Sequence, residues 1–229
     1  MKGHNDFVTV VDRTAEQRIR DDLLAAEPDS MVMGEELSPD DATQRGLVWI
    51  VDPLDGTTNF LHGYPCWSVS IAAVLDGDVV AGCVFDVPGH RCFTAWKGGG
   101  AWCNADRITV SSATDPGQAL IGTGFPFKTP DDIPAYMEQC KRIFPVTAGV
   151  RRAGSAAIDL ATVAAGQFEA FWELTLAPWD IAAGIVLIRE AGGVVTDLKG
   201  EPARAVAGGI VAGNPAMHAW LMGQVRGER

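Results

Sequence analysis

One short segment of the chain, Trp49–Asn59, constrains both the fold and the chemistry. It runs Trp-Ile-Val-Asp-Pro-Leu-Asp-Gly-Thr-Thr-Asn, so an apolar stretch ends in two carboxylates three positions apart. An apolar stretch followed at once by Gly-Thr-Thr is typical of a buried strand that ends in a turn and then begins a helix. The sequence therefore predicts that two aspartates and a helix start lie together at the end of a strand.

This combination suits a site that binds metal and phosphate together. Hard divalent cations such as Mg²⁺ prefer oxygen ligands, and Asp52 and Asp55 could hold two ions at once. The amides of Gly56 and Thr57 could hold phosphate oxygens, because N–H groups at a helix start lack helical partners and the helix dipole favours anions. The alternative is an ordinary surface turn, since Asp-Pro and Asp-Gly pairs are frequent in turns.

Two further motifs favour the site over the turn. Trp179-Asp180-Ile-Ala-Ala-Gly184 is followed by Glu190-Ala-Gly-Gly193, and Gly34-Glu35-Glu36 lies upstream. Together with the first segment, extended through Phe60, they resemble the signatures of the inositol monophosphatase family of Mg²⁺-dependent, lithium-sensitive sugar phosphatases. The resemblance runs from about Asp6 to Asn214 and so covers nearly the whole chain.

The resemblance implies that two to three Mg²⁺ ions bind. Glu35, Asp52 and the backbone carbonyl of Leu54 would be ligands of the first ion. Asp52, Asp55 and Asp180 would hold the second, and a weaker third ion would use Glu35 again. The resemblance selects Glu35 over Glu36, which is expected to face solvent. An ordinary solvated acidic turn at these two glutamates and a helix-start carboxylate at Asp180 are the alternatives.

The resemblance also implies a mechanism, in which a metal-activated water attacks a phosphate monoester directly, with inversion at phosphorus and no phosphoenzyme. Thr57 would help Glu35 to orient this water. The implied catalytic residues are Glu35, Asp52, Asp55, Thr57 and Asp180, and the implied phosphate-binding residues are Gly56 and Thr57.

The substrate pocket and its surroundings follow from the same resemblance. Gly154, Ser155 and Ala156 would line the sugar pocket, and Glu173 would contact a substrate hydroxyl. Asp12, in Val-Thr-Val-Val-Asp, would hydrogen-bond near the metal pocket without touching an ion. Asp12 could also be the N-cap of a helix running through Arg13 to Ala26, with Glu16 in its first turns.

The substrate class is left open between several phosphate esters. Inositol monophosphate or a similar sugar or polyol phosphate fits the motifs best. Histidinol phosphate, fructose 1,6-bisphosphate and 3'-nucleotides are alternatives used on the same fold, and a fold does not decide among them. A noncatalytic regulatory binding protein is the alternative from another class. It would have no evident need for closely spaced carboxylates, whose mutual repulsion is destabilising without metal.

Composition excludes several other classes of protein. A formal net charge of −11 argues against nonspecific nucleic-acid binding, and no run approaches the roughly 18 apolar residues that a membrane span needs. The start of the chain lacks the apolar core of a secretory signal, and an odd number of cysteines, 5, argues against a disulfide framework. We therefore expect a cytoplasmic enzyme with a small-molecule phosphate ester substrate and no nucleic-acid or membrane partner; the resemblance adds a homodimer.

Hydropathy patterns predict how the rest of the chain is organised. Alternating patterns predict an antiparallel meander, and apolar periodicity predicts helices that alternate with short strands further along. The expected strands are Ser68–Leu75, Val79–Asp86, Arg91–Trp96, Ala119–Gly122, Phe168–Trp172, Gly193–Thr196 and Gly209–Ala212. The expected helices are Asp131–Phe144, Ser155–Ala165, Trp179–Ala191 and Pro215–Val225.

The turn-rich segment Ser111–Gly117 predicts a boundary between two halves. Residues 1–115 would form an α+β half with most of the metal ligands, and residues 116–229 an α/β half that contributes Asp180 and the substrate pocket. The resemblance implies a layered α-β-α-β-α sandwich of the sugar phosphatase type. The chain begins almost at the Val-Thr-Val-Val-Asp segment, so it is expected to lack most of the usual N-terminal helix.

Overall fold

The computed structural model describes residues 10–37, 45–127 and 129–228, and its first sheet has seven strands. These strands lie side by side in chain order. The first two are parallel and all later neighbours are antiparallel. The strands are β1 Met31–Gly34, β2 Leu47–Asp55, β3 Ser68–Leu75, β4 Asp78–Asp86, β5 Arg91–Trp96, β6 Gly100–Cys103 and β7 Asp106–Ile108.

The second sheet has five strands in the order β11-β12-β10-β8-β9. Strand β8 is parallel to both of its neighbours, and β12 is antiparallel to both of its own. The strands are β8 Leu120–Thr123, β9 Gly149–Arg151, β10 Ala170–Leu176, β11 Val194–Asp197 and β12 Gly208–Gly213.

Helices form the other three layers of the molecule. The helices are α1 Val10–Ala26, α2 Thr57–Leu61, α3 Ile133–Ile143, α4 Ala156–Ala164, α5 Pro178–Glu190 and α6 Pro215–Arg226. Helix α1 packs on β1 and β2, α4 and α5 lie between the sheets, and α6 covers the far face of the second sheet beside α3. This arrangement confirms the predicted α-β-α-β-α sandwich.

The two middle helices are buried on almost every side because nearly all their residues are apolar or small. Gly82 of β4 permits a close approach of α5 to the first sheet, since a Cβ atom there would lie 2.9 Å from the Cα atom of Ala183 in α5. The large apolar cluster between the sheets takes residues from both sheets, such as Phe93 and Phe171, and from the two middle helices, such as Leu160 and Ile185. A second cluster around Trp172 and Met217 lies under α3 and α6.

Most of the predicted elements are present, with two differences that have physical causes. Asp12 is not an N-cap, because α1 already includes Val10 and the Asp12 side chain is buried against another segment. The predicted strand Phe168–Trp172 is shifted, because β10 continues to Leu176 by pairing with β12 across an irregularity after Glu173. Residues Asp6 to Thr9 of the resemblance lie outside the described residues. The division at residue 115 stays a prediction.

In the described ranges, no helix combines the length and the apolar character that crossing a membrane requires.

Candidate active site

The end of β2 places both motif aspartates in one site. Residues three apart on a regular strand point to opposite faces, but the pairing of β2 with β3 changes register between Asp52 and Asp55. The backbone N–H of Leu54 donates to Oδ1 of Asp52 at 2.9 Å within this irregular stretch. Both carboxylates are buried, with Asp52 only 1 % exposed.

Gly56 turns the chain from β2 into the short helix α2. Its φ of 97° lies in the left-handed region that favours glycine. A Cβ atom at this position would also approach the carbonyl oxygen of Cys66 to 2.9 Å. The glycine of the motif is therefore required by both conformation and space, and the Thr57 hydroxyl that follows it lies 3.0 Å from the carbonyl oxygen of Leu54.

Asp180 reaches the same site from the second half of the chain. It lies in the first turn of α5, where its Oδ2 accepts the backbone N–H of Ala177 at 2.7 Å. One carboxylate oxygen from each of Asp52, Asp55 and Asp180 lies within 4.8 Å of the other two. We call these three residues the aspartate cluster. Among the described residues, Glu35 is not a member of this mutually close group.

The start of α4 fixes the orientation of Asp55. Oδ2 of Asp55 accepts hydrogen bonds from the hydroxyl of Ser155 at 2.5 Å and from the backbone N–H of Ala157 at 2.8 Å. Ser155 is also the N-cap of α4, since its Oγ accepts the backbone N–H of Ile158. The predicted pocket segment Gly154–Ala156 thus lies directly against Asp55, and the buried hydroxyl of Ser155 is turned toward that carboxylate.

Asn59 ties the same segment to the first motif. Its Nδ2 donates to the carbonyl oxygens of Cys66 at 2.7 Å and of Ala153 at 2.9 Å. Sequence reasoning assigned no role to this residue, although it lies inside the first motif. Its position in the signature was the available signal.

Asp12 lies beside Thr57. The Thr57 hydroxyl is 3.3 Å from Oδ1 of Asp12 and 3.0 Å from the carbonyl oxygen of Leu54, so it can donate to either acceptor. Helix α1 therefore contacts the segment that carries three of the predicted ligands, Asp52, Leu54 and Asp55.

Glu35 lies in the turn after β1, and its charge contributes to the electrostatics of Asp52. Glu36 does not simply face solvent, which corrects the expectation, because its Oε2 atom is buried. A residue that sequence reasoning missed holds this turn. Glu16 accepts the backbone N–H groups of Glu36 and Leu37 on its two carboxylate oxygens.

Glu173 lies on β10 close to the backbone of Gly124. A Cβ atom at Gly124 would lie within 2.1 Å of the Glu173 carboxylate, so a larger residue there would displace the end of the Glu173 side chain. Burial, followed by the charges of Asp180, Asp159 and Asp55, raises the pKa of Glu173 well above its usual value, while Arg152 acts in the opposite direction. The Arg152 guanidinium stacks over the rings of Phe125 and Phe127. Glu173 is therefore electrostatically linked to the aspartate cluster.

The electrostatics of the site fit a bound cation. Burial raises the pKa of Asp52 well above its usual range, and the charges of Glu35, Asp55 and Asp180 raise it further. A divalent cation would offset this repulsion, and oxygen donors alone are what Mg²⁺ prefers. The aspartate cluster is consistent with metal binding on its donor set and on its charge.

Comparison with known proteins finds similarity over nearly the whole chain. The model of the inositol monophosphatase family matches residues 1–228. The chain is 45 % identical over 214 residues to an inositol-1-monophosphatase of Rhizobium meliloti, covering 93 % of this chain and 80 % of that protein. It is 42 % identical over 227 residues to Nus factor SuhB of Escherichia coli, covering 99 % of this chain and 85 % of that one. The solved structure of extragenic suppressor protein suhB from Bartonella henselae superposes with a TM-score of 0.91 at 39 % identity, covering 99 % and 87 % of the two chains.

Proposed function

Since this chain belongs to the inositol monophosphatase family, we propose that it is a Mg²⁺-dependent hydrolase of inositol monophosphate or a similar sugar or polyol phosphate. The observation that carries the proposal is the convergence of Asp52, Asp55 and Asp180, which come from a strand and from a helix more than a hundred residues later. A chain that only needed to fold would gain nothing from three carboxylates brought together in this way.

In this proposal the ligands divide between two ion positions. Glu35, Asp52 and the carbonyl oxygen of Leu54 would hold one Mg²⁺, and Asp52, Asp55 and Asp180 would hold the other. When bound, such ions supply an activated water and offset the negative charge of the departing oxygen. Hydrogen bonds from Leu54 to Asp52 and from Ser155 to Asp55 fix the direction in which the two carboxylates point.

Other residues of the chain handle the substrate and the attacking water. The backbone N–H groups of Gly56 and Thr57 would bind phosphate oxygens, and Glu35 with the Thr57 hydroxyl would orient the attacking water. Asp12 supports Thr57 through the contact between its carboxylate and that hydroxyl. Glu173 accepts a hydrogen bond from a hydroxyl of the sugar or polyol, and the Gly154–Ala156 segment lines the same end of the pocket.

The experiment is phosphate release from four esters by the purified chain. Inositol 1-phosphate, histidinol phosphate, fructose 1,6-bisphosphate and 3'-phosphoadenosine 5'-phosphate are each offered with Mg²⁺, with EDTA, and with Mg²⁺ plus Li⁺. We expect Mg²⁺-dependent, lithium-inhibited release that is fastest from inositol 1-phosphate. Preference for another ester would revise the substrate. A folded protein that binds Mg²⁺ but releases phosphate from none of them would contradict the enzyme proposal.

A second candidate function follows from the relatives that are named Nus factors. At 42 % identity over 99 % of this chain, such a relative supports a regulatory binding role for this chain, alone or beside catalysis. Asp52→Asn separates the two, because a purely regulatory chain would keep its cellular role when the aspartate cluster is damaged. A cellular phenotype of this variant equal to that of a deletion would favour the enzyme.

The compartment and the assembly are proposed on the same basis. We propose that the chain acts in the cytoplasm as a homodimer, with a small phosphate ester as its principal partner. Sedimentation of the purified chain measures the assembly, and a monomer at micromolar concentration would contradict that part.

A further inference from the structure

Glu16 is a buried carboxylate to which the proposed function gives no role. It lies in the middle of α1, and only 1 % of the residue is exposed. Burying a carboxylate is costly unless hydrogen bonds replace its water. The groups that replace this water therefore indicate what the residue does.

Both oxygens of Glu16 are used by one turn of the chain. The backbone N–H of Glu36 donates to Oε2 at 2.7 Å, and the backbone N–H of Leu37 donates to Oε1 at 2.9 Å. These two residues directly follow Glu35. Hydrogen bonds from N–H groups to a charged acceptor are among the stronger ones in proteins, so the carboxylate fixes the backbone on the C-terminal side of Glu35.

The residue before Glu35 lies against the same carboxylate. A Cβ atom on Gly34 would lie 2.1 Å from Oε1 and 2.3 Å from Cδ of Glu16, so only glycine allows this approach without a shift. The backbone conformation of Gly34 does not itself require glycine, since its φ is not among the positive ones. Gly34 on one side of Glu35, and Glu36 and Leu37 on the other, therefore all contact the side chain of Glu16.

We propose that Glu16 is a positioning residue that holds Glu35 in place to bind a divalent cation together with Asp52. The proposal rests on the proposed function, because it takes Glu35 as a ligand. Groups that orient metal ligands typically contribute about 10- to 100-fold to metal affinity or activity. A purely structural role would instead change stability and leave metal affinity per folded molecule unchanged.

The first test replaces one oxygen of Glu16 by an amide. Glu16→Gln puts an NH₂ group against one of the two backbone donors, so one hydrogen bond is lost and two donors face each other. Mn²⁺ serves as the probe, and electron paramagnetic resonance counts the free ion. We expect affinity at the Glu35 position to fall by about 10- to 100-fold. Asp22→Asn, on the exposed side of the same helix, is the matched control and should leave affinity unchanged.

Gly34→Ala displaces the carboxylate without removing it. The new methyl group would push the flexible end of Glu16 away from the turn, so Mn²⁺ affinity should fall in the same direction. In a Glu16→Ala background the clashing atoms are gone, so Gly34→Ala should then lower the Mn²⁺ affinity no further. We expect the losses of Mn²⁺ affinity from the two single substitutions to be strongly non-additive in this double-mutant cycle. Additive losses of affinity would overturn the proposal.

The remaining outcomes are distinct from one another. Unchanged Mn²⁺ affinity in Glu16→Gln overturns the positioning role, whether or not the melting temperature of the metal-free protein falls. A wild-type chain that binds Mn²⁺ but releases no phosphate contradicts the proposed function alone, and the metal titration still decides on Glu16. A wild-type chain that binds no Mn²⁺ overturns both.

Discussion

At the scale of single residues, the sequence indicated the three aspartates but not the residue that holds the turn after Glu35. Asp52, Asp55 and Asp180 lie in short motifs whose residue types suit metal and phosphate, so the sequence alone indicated them. Glu16 lies twenty residues from the turn it holds, and a glutamate inside a helix carries no sign of burial. Only the packing of α1 against the first sheet reveals that Glu16 points inward.

Asp52→Asn should affect catalysis and stability in opposite directions. Turnover should fall roughly 100-fold or more, because a bound metal supplies several kcal/mol to such reactions. Because burial and neighbouring carboxylates raise the pKa of Asp52, its ionised form is unfavourable in the metal-free fold. The neutral amide should therefore raise the metal-free melting temperature by about 2–4 °C for each kcal/mol relieved.

Kinetics over a Mg²⁺ titration and thermal melts in EDTA measure the two effects of Asp52→Asn. Wild-type turnover at any Mg²⁺ concentration would contradict the predicted role in catalysis. A lower melting temperature in EDTA would contradict the electrostatic argument.

Glu173→Ala should weaken substrate recognition more than chemistry. Removing the hydrogen-bond partner of a buried substrate hydroxyl costs about 1–3 kcal/mol, so KM for inositol 1-phosphate should rise about 5- to 100-fold with a smaller change in kcat. Phenyl phosphate lacks the ring hydroxyls and is the control substrate, for which the variant should resemble the wild type. Equal losses on both substrates would show that Glu173 acts elsewhere.

At the scale of elements, the start of α4 combines two tasks. Ser155 caps the helix and holds Asp55, so the stability of a buried helix and the geometry of a carboxylate depend on one hydroxyl. The sequence predicted the helix and placed Ser155 at a sugar pocket. The contact with Asp55 joins residues a hundred positions apart and could not be inferred from periodicity.

Ser155→Ala and Asn214→Ala form a matched pair of cap deletions. Asn214 caps α6 by accepting the backbone N–H of Met217 and, like Ser155, bonds a second segment, at Ala113. Each deletion should cost about 1 kcal/mol or somewhat more, or about 2–4 °C in melting temperature. Only Ser155→Ala should also reduce the rise in melting temperature on adding Mg²⁺. Equal responses of the two variants to Mg²⁺ would mean that Ser155 does not orient a ligand.

At the scale of the whole molecule, the order of strands was the least predictable feature. The meander from β3 to β5 follows from alternating patterns and short turns. The parallel contact between β1 and β2 and the central position of β10 bring together distant segments. The sequence of a short apolar strand does not show which other strand it pairs with. The layered architecture was therefore predicted from the family resemblance and not from periodicity.

The effect of Mg²⁺ on stability should grow as pH rises. Burial raises the pKa values of Asp52, Asp159 and Glu173, so the metal-free fold keeps protons that the unfolded chain releases near pH 4. These groups therefore make the metal-free fold less stable as pH rises from about 4. Bound Mg²⁺ requires ionised ligands and offsets this loss.

Melting temperatures with Mg²⁺ and with EDTA between pH 5 and pH 8 check this sign. Burial lowers the pKa of His218, which weakens the fold as pH falls below about 6.5, but this affects both curves and cancels in their difference. A difference that is largest at pH 5 would contradict the prediction.

Helix α5 belongs to the second half of the sequence but packs along five strands of the first sheet. The main apolar cluster is shared in the same way, with Phe93 and Phe171 in one continuous interior. Cleaving the chain at Ser111–Gly117 would thus leave each fragment with a bare hydrophobic face and an incomplete set of ligands. The two fragments would be expected to fold only together, as a split protein whose reassembly could be followed by the return of metal binding.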